Sequence, residues 1–120
     1  MNRLKAGFAR VNVTPMLGID IPGYYKQRLA EGVLDELYLD TLALECDGVK
    51  VLLISIDHLG IKQVLCSQFS GYISQVTGVP RDAVYIAASH THTGPEMQAD
   101  AQAPQPLHLF SSICTIFLFI

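Results

Sequence analysis

An Asp47-Gly48 dipeptide between two apolar runs is the feature that most constrains the fold. Both residue types accept the positive φ angles of a two-residue turn, so the runs 38–46 and 49–57 are predicted to pair as an antiparallel hairpin. The second run contains Val51-Leu52-Leu53-Ile54, which is apolar on both faces. This pattern is typical of a central strand that is covered from both sides.

A helical pattern follows the hairpin. Apolar residues recur at helical spacing from Ile61 to Thr77, and Gly78 stands where a helix commonly ends in a left-handed residue. Residues 83–88 then form another apolar run. Because this helix connects two strands, the segment 49–88 is predicted to be a β-α-β unit with parallel strands.

The first part of the chain supplies one more strand and a long connection. Residues 6–13 alternate apolar with small or polar side chains, which predicts a strand. The connection 16–32 is rich in glycine and proline, and a loop of this length in a compact domain is usually functional or covers something. Its Tyr24 and Tyr25 either line a cleft or pack the loop onto the body. The predicted fold class is α/β, a mixed β-sheet with a β-hairpin followed by a β-α-β unit and helices covering the sheet.

Charge and cysteine content exclude several classes of function. The net charge is −3 and no Lys/Arg cluster occurs, so no nucleic-acid partner is expected. The three cysteines form no C-x-x-C pair, which argues against a zinc knuckle and a disulfide framework. No signal peptide is predicted at the N-terminus. No transmembrane span is predicted either, because the apolar segment 107–120 is shorter than the roughly 20 residues of a spanning helix.

Two histidines one residue apart follow the last predicted strand, in Ser89-His90-Thr91-His92-Thr93-Gly94-Pro95. In extended backbone, positions i and i+2 face the same side, so both imidazoles are expected to converge on one metal ion or one substrate. Parallel strands end at a common edge, which brings Asp57 to the same place. Neutral imidazoles and a carboxylate are the ligands expected of zinc with an open catalytic position.

Other roles for these side chains are also open. Asp57 is either a further ligand or a residue that orients a ligating imidazole from outside the coordination shell. In a purely structural interpretation, one imidazole caps a loop carbonyl, the other is solvated, and Asp57 satisfies N–H groups of a turn. His58 is the weaker ligand, because adjacent strand residues point to opposite faces.

Five segments occur in the order in which a known family carries them: Ala6-Gly7-Phe8-Ala9-Arg10-Val11-Asn12-Val13-Thr14-Pro15, Leu17-Gly18, Pro22-Gly23-Tyr24, Leu34-Asp35-Glu36-Leu37-Tyr38 and Ala87-Ala88-Ser89-His90-Thr91-His92-Thr93-Gly94-Pro95. Together they resemble the N-terminal part of the neutral/alkaline non-lysosomal ceramidase family. The resemblance implies a zinc-dependent amidase that hydrolyses the N-acyl bond of ceramide to a sphingoid base and a fatty acid. It implies that His90 binds the metal and that His92 is a catalytic residue that contacts the substrate or its intermediate. Zinc would lower the pKa of a bound water and polarise the amide carbonyl.

The resemblance also implies that this chain is incomplete as an enzyme. In the family a second His, a Glu and a Tyr complete the zinc site, and these ligands and an active-site serine lie downstream of the matched segments. We therefore expect residues 1–96 to be the N-terminal part of a larger catalytic domain, inactive alone, and residues 97–120 to be a low-complexity linker and an apolar tail, disordered or artefactual. The implied partner of the full-length protein is a ceramide-like lipid, and relatives are often secreted or membrane-associated.

Two alternatives remain at this point. The first is a metal hydrolase that acts on another amide or ester on the same scaffold. The second is a non-catalytic or vestigial domain in which the histidines are structural. The oligomeric state has no sequence signal.

Overall fold

The computed structural model describes residues 3–97, so the predictions for the tail beyond Met97 lie outside the described residues. The regular elements are listed in chain order as β1 (Lys5–Asn12), β2 (Tyr38–Cys46), β3 (Val49–Ile56), α1 (Gln63–Thr77) and β4 (Val84–Ala88). A 3-10 turn, Arg81–Ala83, precedes β4. Within the described part of the chain no helix is long and apolar enough to cross a membrane.

The four strands form one mixed sheet in the order β1-β2-β3-β4. β1 and β2 are antiparallel, β2 and β3 are antiparallel, and β3 and β4 are parallel. Asp47 and Gly48 have φ angles of 49° and 79°, which is the left-handed pair that a tight turn between β2 and β3 requires. The predicted α/β fold is therefore confirmed, with a hairpin followed by a β-α-β unit.

The hydrophobic core lies on the face of the sheet that α1 covers. Its buried residues are Leu39, Ala43, Leu52, Ile54, Ile56, Ile73, Val79 and Val84. Successive strand residues alternate between this face and the other one, as the pleat demands. Leu52 is thus fully buried, whereas its neighbour Leu53 is 41% exposed.

The second face of the sheet is open in the part of the chain that the structure describes. Phe8, Leu42, Leu53 and Tyr85 lie side by side across the four strands, and three of them are exposed. The central position predicted for β3 is confirmed, but the expected cover on both faces is wrong for residues 3–97. The apolar run marks a strand with one packed face and one uncovered apolar face.

Helix α1 begins two residues later than its apolar pattern predicts. Lys62 is extended, with φ −64° and ψ 140°, and Ile61 pairs with Met97 as an isolated parallel bridge. The sequence assigned Met97 to the linker, but this bridge includes it in the folded part. At the other end Gly78 has φ 72° and donates its N–H to Ser74 O, as the glycine signal predicts.

The long connection between β1 and β2 contains a small hairpin, residues 18–30. Three backbone hydrogen bonds close it: Gly18 N to Ala30 O (2.8 Å), Ile21 N to Arg28 O (2.8 Å) and Ala30 N to Ile19 O (2.9 Å). We call this segment the 18–30 hairpin. Glycines and prolines predict the turns here, but they do not show that the two arms pair.

Candidate metal centre at the carboxyl rim of the sheet

The parallel pairing of β3 and β4 continues past the ends of both strands. Ser89 donates its N–H to Ile56 O (2.9 Å), and His90 donates its N–H to His58 O (3.1 Å). Asp57 and the histidine pair therefore lie at the same rim of the sheet, as the β-α-β pattern predicts.

The segment Ser89–Pro95, here called the histidine loop, is fixed at both ends by one residue. Leu59 donates its N–H to Pro95 O (2.8 Å), and its carbonyl oxygen lies 2.8 Å from His90 Nδ1. Both backbone groups of Leu59 thus bind the loop. No sequence signal could have identified Leu59, because it acts through its backbone.

His90 has a left-handed backbone, with φ 62°. Such a conformation costs a non-glycine residue about 1–3 kcal/mol, and it persists where the surrounding contacts determine it. The imidazole rings of His90 and His92 have centroids 4.9 Å apart and are inclined at 84°. The two rings therefore lie next to each other, but the extended backbone expected for this pair is wrong, because His90 is left-handed. Convergence of both rings on one metal ion or substrate remains a prediction.

The bond to Leu59 determines which nitrogen of His90 is free. A carbonyl oxygen only accepts hydrogen bonds, so Nδ1 must carry the proton. In the neutral ring the lone pair then lies on Nε2. Metal-binding histidines are usually oriented in this way, by donation of the second ring N–H to a carbonyl or carboxylate. The His90 side chain thus fits a zinc ligand.

His92 is exposed and lies against the tip of the 18–30 hairpin. Its ring meets the Tyr24 ring edge to face, with centroids 5.9 Å apart. Tyr25, by contrast, is fully exposed. The contact of Tyr24 with His92 corresponds to the alternative in which the tyrosine packs the loop onto the body.

Asp57 uses its carboxylate within the sheet. Its Oδ2 accepts the N–H of Tyr38 (3.0 Å), while its own N–H donates to Tyr38 O (2.9 Å). The carboxylate therefore binds β2, on the side of β3 away from β4. Among residues 3–97, no group of three or more His, Cys, Asp and Glu side chains is arranged to hold a metal ion. A role of Asp57 as ligand or orienting group remains a prediction.

Replacing Asp57 with Ala should destabilise the fold, because the Tyr38 N–H loses its acceptor. A fully buried donor without a partner costs about 1–3 kcal/mol, and the part-buried Tyr38 N–H should cost less than the upper end of that range. Asp57→Asn keeps a carbonyl oxygen at this position and should cost less than Asp57→Ala. Urea unfolding monitored by circular dichroism checks the order, and equal stability of the two variants would contradict the assigned hydrogen bond.

His58 is buried, with 8% of its surface exposed, and its Nδ1 has no hydrogen-bond partner among the described residues. Burial lowers the pKa of its imidazole below the ordinary value of 6.5, and the neighbouring Asp57 carboxylate partly opposes the shift. His58 is therefore a neutral core histidine. Its carbonyl oxygen accepts the N–H of His90 in the histidine loop.

The buried His58 makes the stability of the metal-free chain sensitive to mild acid. Because its folded pKa lies below the unfolded value of 6.5, the unfolded chain takes up the proton first. The contribution of His58 to the free energy of unfolding should be complete above pH 6.5 and should decrease as the pH falls below it. Urea midpoints at a pH on each side of 6.5 measure this decrease. In His58→Gln the loss of stability below pH 6.5 should be smaller. An unchanged pH dependence in that variant would contradict the role of His58 in it.

A cavity of about 720 Å³ lies between the 18–30 hairpin, the segment that follows it and the histidine loop. Thr93, Gly94 and Pro95 form the part of its wall that belongs to the histidine loop. Its larger apolar lining residues are Leu17, Ile19, Ile21, Leu29, Val33, Leu34 and Leu37. Polar and charged side chains, among them Arg28, Glu31 and Asp35, line the rest of it. The rim thus combines an oriented imidazole, a second imidazole and an adjacent cavity with a mixed lining.

Neither a protein-family model nor a curated protein sequence matches the chain.

Proposed function

We propose that this chain is the N-terminal part of a zinc-dependent amidase that hydrolyses the N-acyl bond of ceramide-like lipids. The observation that carries the proposal is the bond between His90 Nδ1 and Leu59 O, which leaves Nε2 of an exposed imidazole as a ligand. The strained backbone of His90 points the same way, because such conformations cluster at functional sites.

Each histidine has a separate role in the proposal. His90 holds the metal through Nε2, and zinc, when bound, supplies a water of lowered pKa and polarises the scissile carbonyl. His92, whose ring lies 4.9 Å from that of His90, contacts the substrate and donates or accepts a hydrogen bond at the reacting amide.

The ligand set within residues 3–97 is incomplete. Catalytic zinc takes three protein ligands and a water, and the described residues supply one oriented imidazole. The proposal therefore assigns the other ligands to a longer protein that contains this chain, and it expects no amidase activity from the 120 residues alone.

The cavity beside the histidine loop supports a lipid substrate. Its lining combines aliphatic side chains with polar ones, and its Thr93-Gly94-Pro95 wall is continuous with the segment that carries His90 and His92. An amide carbonyl at the histidines would thus have a space with aliphatic walls on part of its lining next to it, where part of an aliphatic chain could lie.

Two alternatives to this function remain. A non-catalytic domain is favoured by three features that the structural interpretation expects: the bond of His90 to the Leu59 carbonyl, the exposed His92 and the engagement of Asp57 with the Tyr38 N–H. A hydrolase of another amide or ester would use the same rim, because His90 and His92 select no particular acyl group. Residues encoded after position 120 distinguish these alternatives: further zinc ligands in a continuing frame favour an enzyme.

Zinc titration of the chain tests the proposal directly. With the histidines labelled with ¹⁵N, added Zn²⁺ should perturb Nε2 of His90 first, with weak affinity. His90→Gln is the matched control, because glutamine can still donate to a carbonyl but has no imidazole, and this variant should lose the early response. A perturbation that begins elsewhere, or that survives in His90→Gln, would overturn the metal assignment.

In a longer protein with the missing ligands, substitution of His90 and substitution of His92 should have different effects on zinc binding and on activity. His90→Ala should abolish both zinc retention and amidase activity, whereas His92→Ala should keep the metal and lose turnover. Metal analysis and a ceramide hydrolysis assay measure the two effects. Wild-type zinc content and turnover in His90→Ala would contradict the proposal.

A further inference from the structure

We propose that the tip of the 18–30 hairpin positions the His92 ring, with Gly23 providing the space for it and with Tyr24, fixed by Arg28, forming the wall. No motif in the sequence assigns this role. The catalytic consequence rests on the proposed function, whereas the positioning itself is a property of the metal-free chain.

Gly23 is the first part of this arrangement. A Cβ atom built on Gly23 would lie 2.6 Å from Nδ1 and 3.0 Å from Cε1 of His92. Real Cβ atoms essentially never approach a heavy atom closer than 3.0 Å. The imidazole therefore occupies the space that any side chain at this position would need. Gly23 also has φ 95°, a conformation that residues with a side chain rarely adopt.

Tyr24 is the second part. Its ring meets the His92 ring at 82°, an edge-to-face arrangement that aromatic rings favour. Arg28 packs on Tyr24, with its guanidinium carbon 4.0 Å from the ring centroid. The backbone of Arg28 is itself fixed, because its carbonyl oxygen accepts the N–H of Ile21 within the hairpin.

His90 bounds the His92 ring as a third neighbour, with its own ring inclined at 84°. An exposed histidine without such neighbours would exchange among several rotamers. Contacts from Gly23, Tyr24 and His90 restrict it to one orientation, next to the ring that the proposed function assigns to the metal. Such pre-orientation reduces the entropy cost of a productive geometry. Gly23, Tyr24 and Arg28 are thus positioning residues rather than catalytic ones.

Two glycine variants separate a steric effect on His92 from backbone strain. Gly23→Ala introduces both a strained φ and the clash with the imidazole. Gly18→Ala is the matched control in the same hairpin, because Gly18 has φ 84° but its Cβ would meet nothing within 4 Å. In NMR spectra of the full 120-residue chain without metal, Gly23→Ala should shift the His92 ring signals and abolish the NOE contacts between His92 and Tyr24. Gly18→Ala should preserve both.

Substitutions of Tyr24 keep the test decisive if Gly23→Ala does not fold. Tyr24→Phe keeps the ring and should retain NOE contacts to His92 and the wild-type ring shifts. Tyr24→Leu removes the ring, so it should shift the His92 signals and broaden them as the side chain begins to exchange between rotamers. Tyr25→Leu, at the neighbouring and fully exposed position, should change none of these signals.

The proposal is overturned if the His92 signals are unchanged in Tyr24→Leu, or if Gly18→Ala moves them as far as Gly23→Ala does. Its failure is distinguishable from failure of the proposed function. The NOE contacts are read without metal, whereas the zinc response of His90 is read by titration. Tyr24→Leu should leave that zinc response intact.

Discussion

Leu52→Ala should destabilise the fold by about 2–5 kcal/mol, the range measured for truncation of a fully buried leucine. Leu52 is 0% exposed and lies on the central strand, paired with Ala43 on β2 and Val84 on β4. The cavity would lie in the middle of a core built from few large side chains, where neighbours have little freedom to fill it. Small domains have free energies of unfolding of only about 5–15 kcal/mol. The variant should therefore unfold at a clearly lower urea concentration than the wild type.

The adjacent residue provides the control for this prediction. Leu53 is also a leucine and lies on the same strand, but its side chain is on the opposite face of the sheet, where it is 41% exposed. Its removal deletes only part of a buried surface, so Leu53→Ala should cost under about 1 kcal/mol. Urea unfolding by circular dichroism measures both variants. Equal costs would mean that the open face is covered in solution, either by residues outside 3–97 or by a second molecule.

This pair of leucines marks the limit of what the sequence predicts about the fold. The Asp47-Gly48 turn, the helical spacing and Gly78 specify strand order and direction because each acts through local backbone geometry. The run Val51–Ile54 is apolar on both faces, and nothing in it distinguishes a covered face from an open one. That distinction depends on what lies above the sheet, which is a long-range property.

In the candidate site, too, the sequence predicts some features, whereas others depend on contacts between distant residues. The alternation of strands and helix predicts that Asp57 and the histidines share a rim, and the continued hydrogen bonding from Ser89 and His90 confirms it. The left-handed backbone of His90 and its bond to Leu59 depend on contacts across 31 residues of sequence, which no local pattern encodes. The contact of Tyr24 with His92 likewise joins two distant loops.

Gly94→Ala should destabilise the chain by about 1–3 kcal/mol, the usual cost of overpacking a filled site. Gly94 is buried at the end of the histidine loop. An added Cβ would lie 3.0 Å from Leu37 Cδ1, 3.0 Å from Thr91 Cγ2 and 3.1 Å from the carbonyl oxygen of Asp57. Leu37 can move by a few tenths of an ångström, but the Asp57 carbonyl belongs to the backbone at the rim. The loop must therefore move away from β3, and the His90 and His92 ring signals should shift.

Gly60→Ala is the matched control. It adds the same methyl group next to Leu59, the residue that binds the histidine loop. Its Cβ would meet only Glu96 Oε1, at an ordinary 3.7 Å. Alanine also restricts the unfolded chain, so this variant should lie within about 1 kcal/mol of wild type. Urea midpoints and histidine NMR signals compare the two. A stable Gly94→Ala protein with unmoved histidine signals would mean that the loop is not seated against Asp57, and the geometry on which the zinc proposal depends would then be lost.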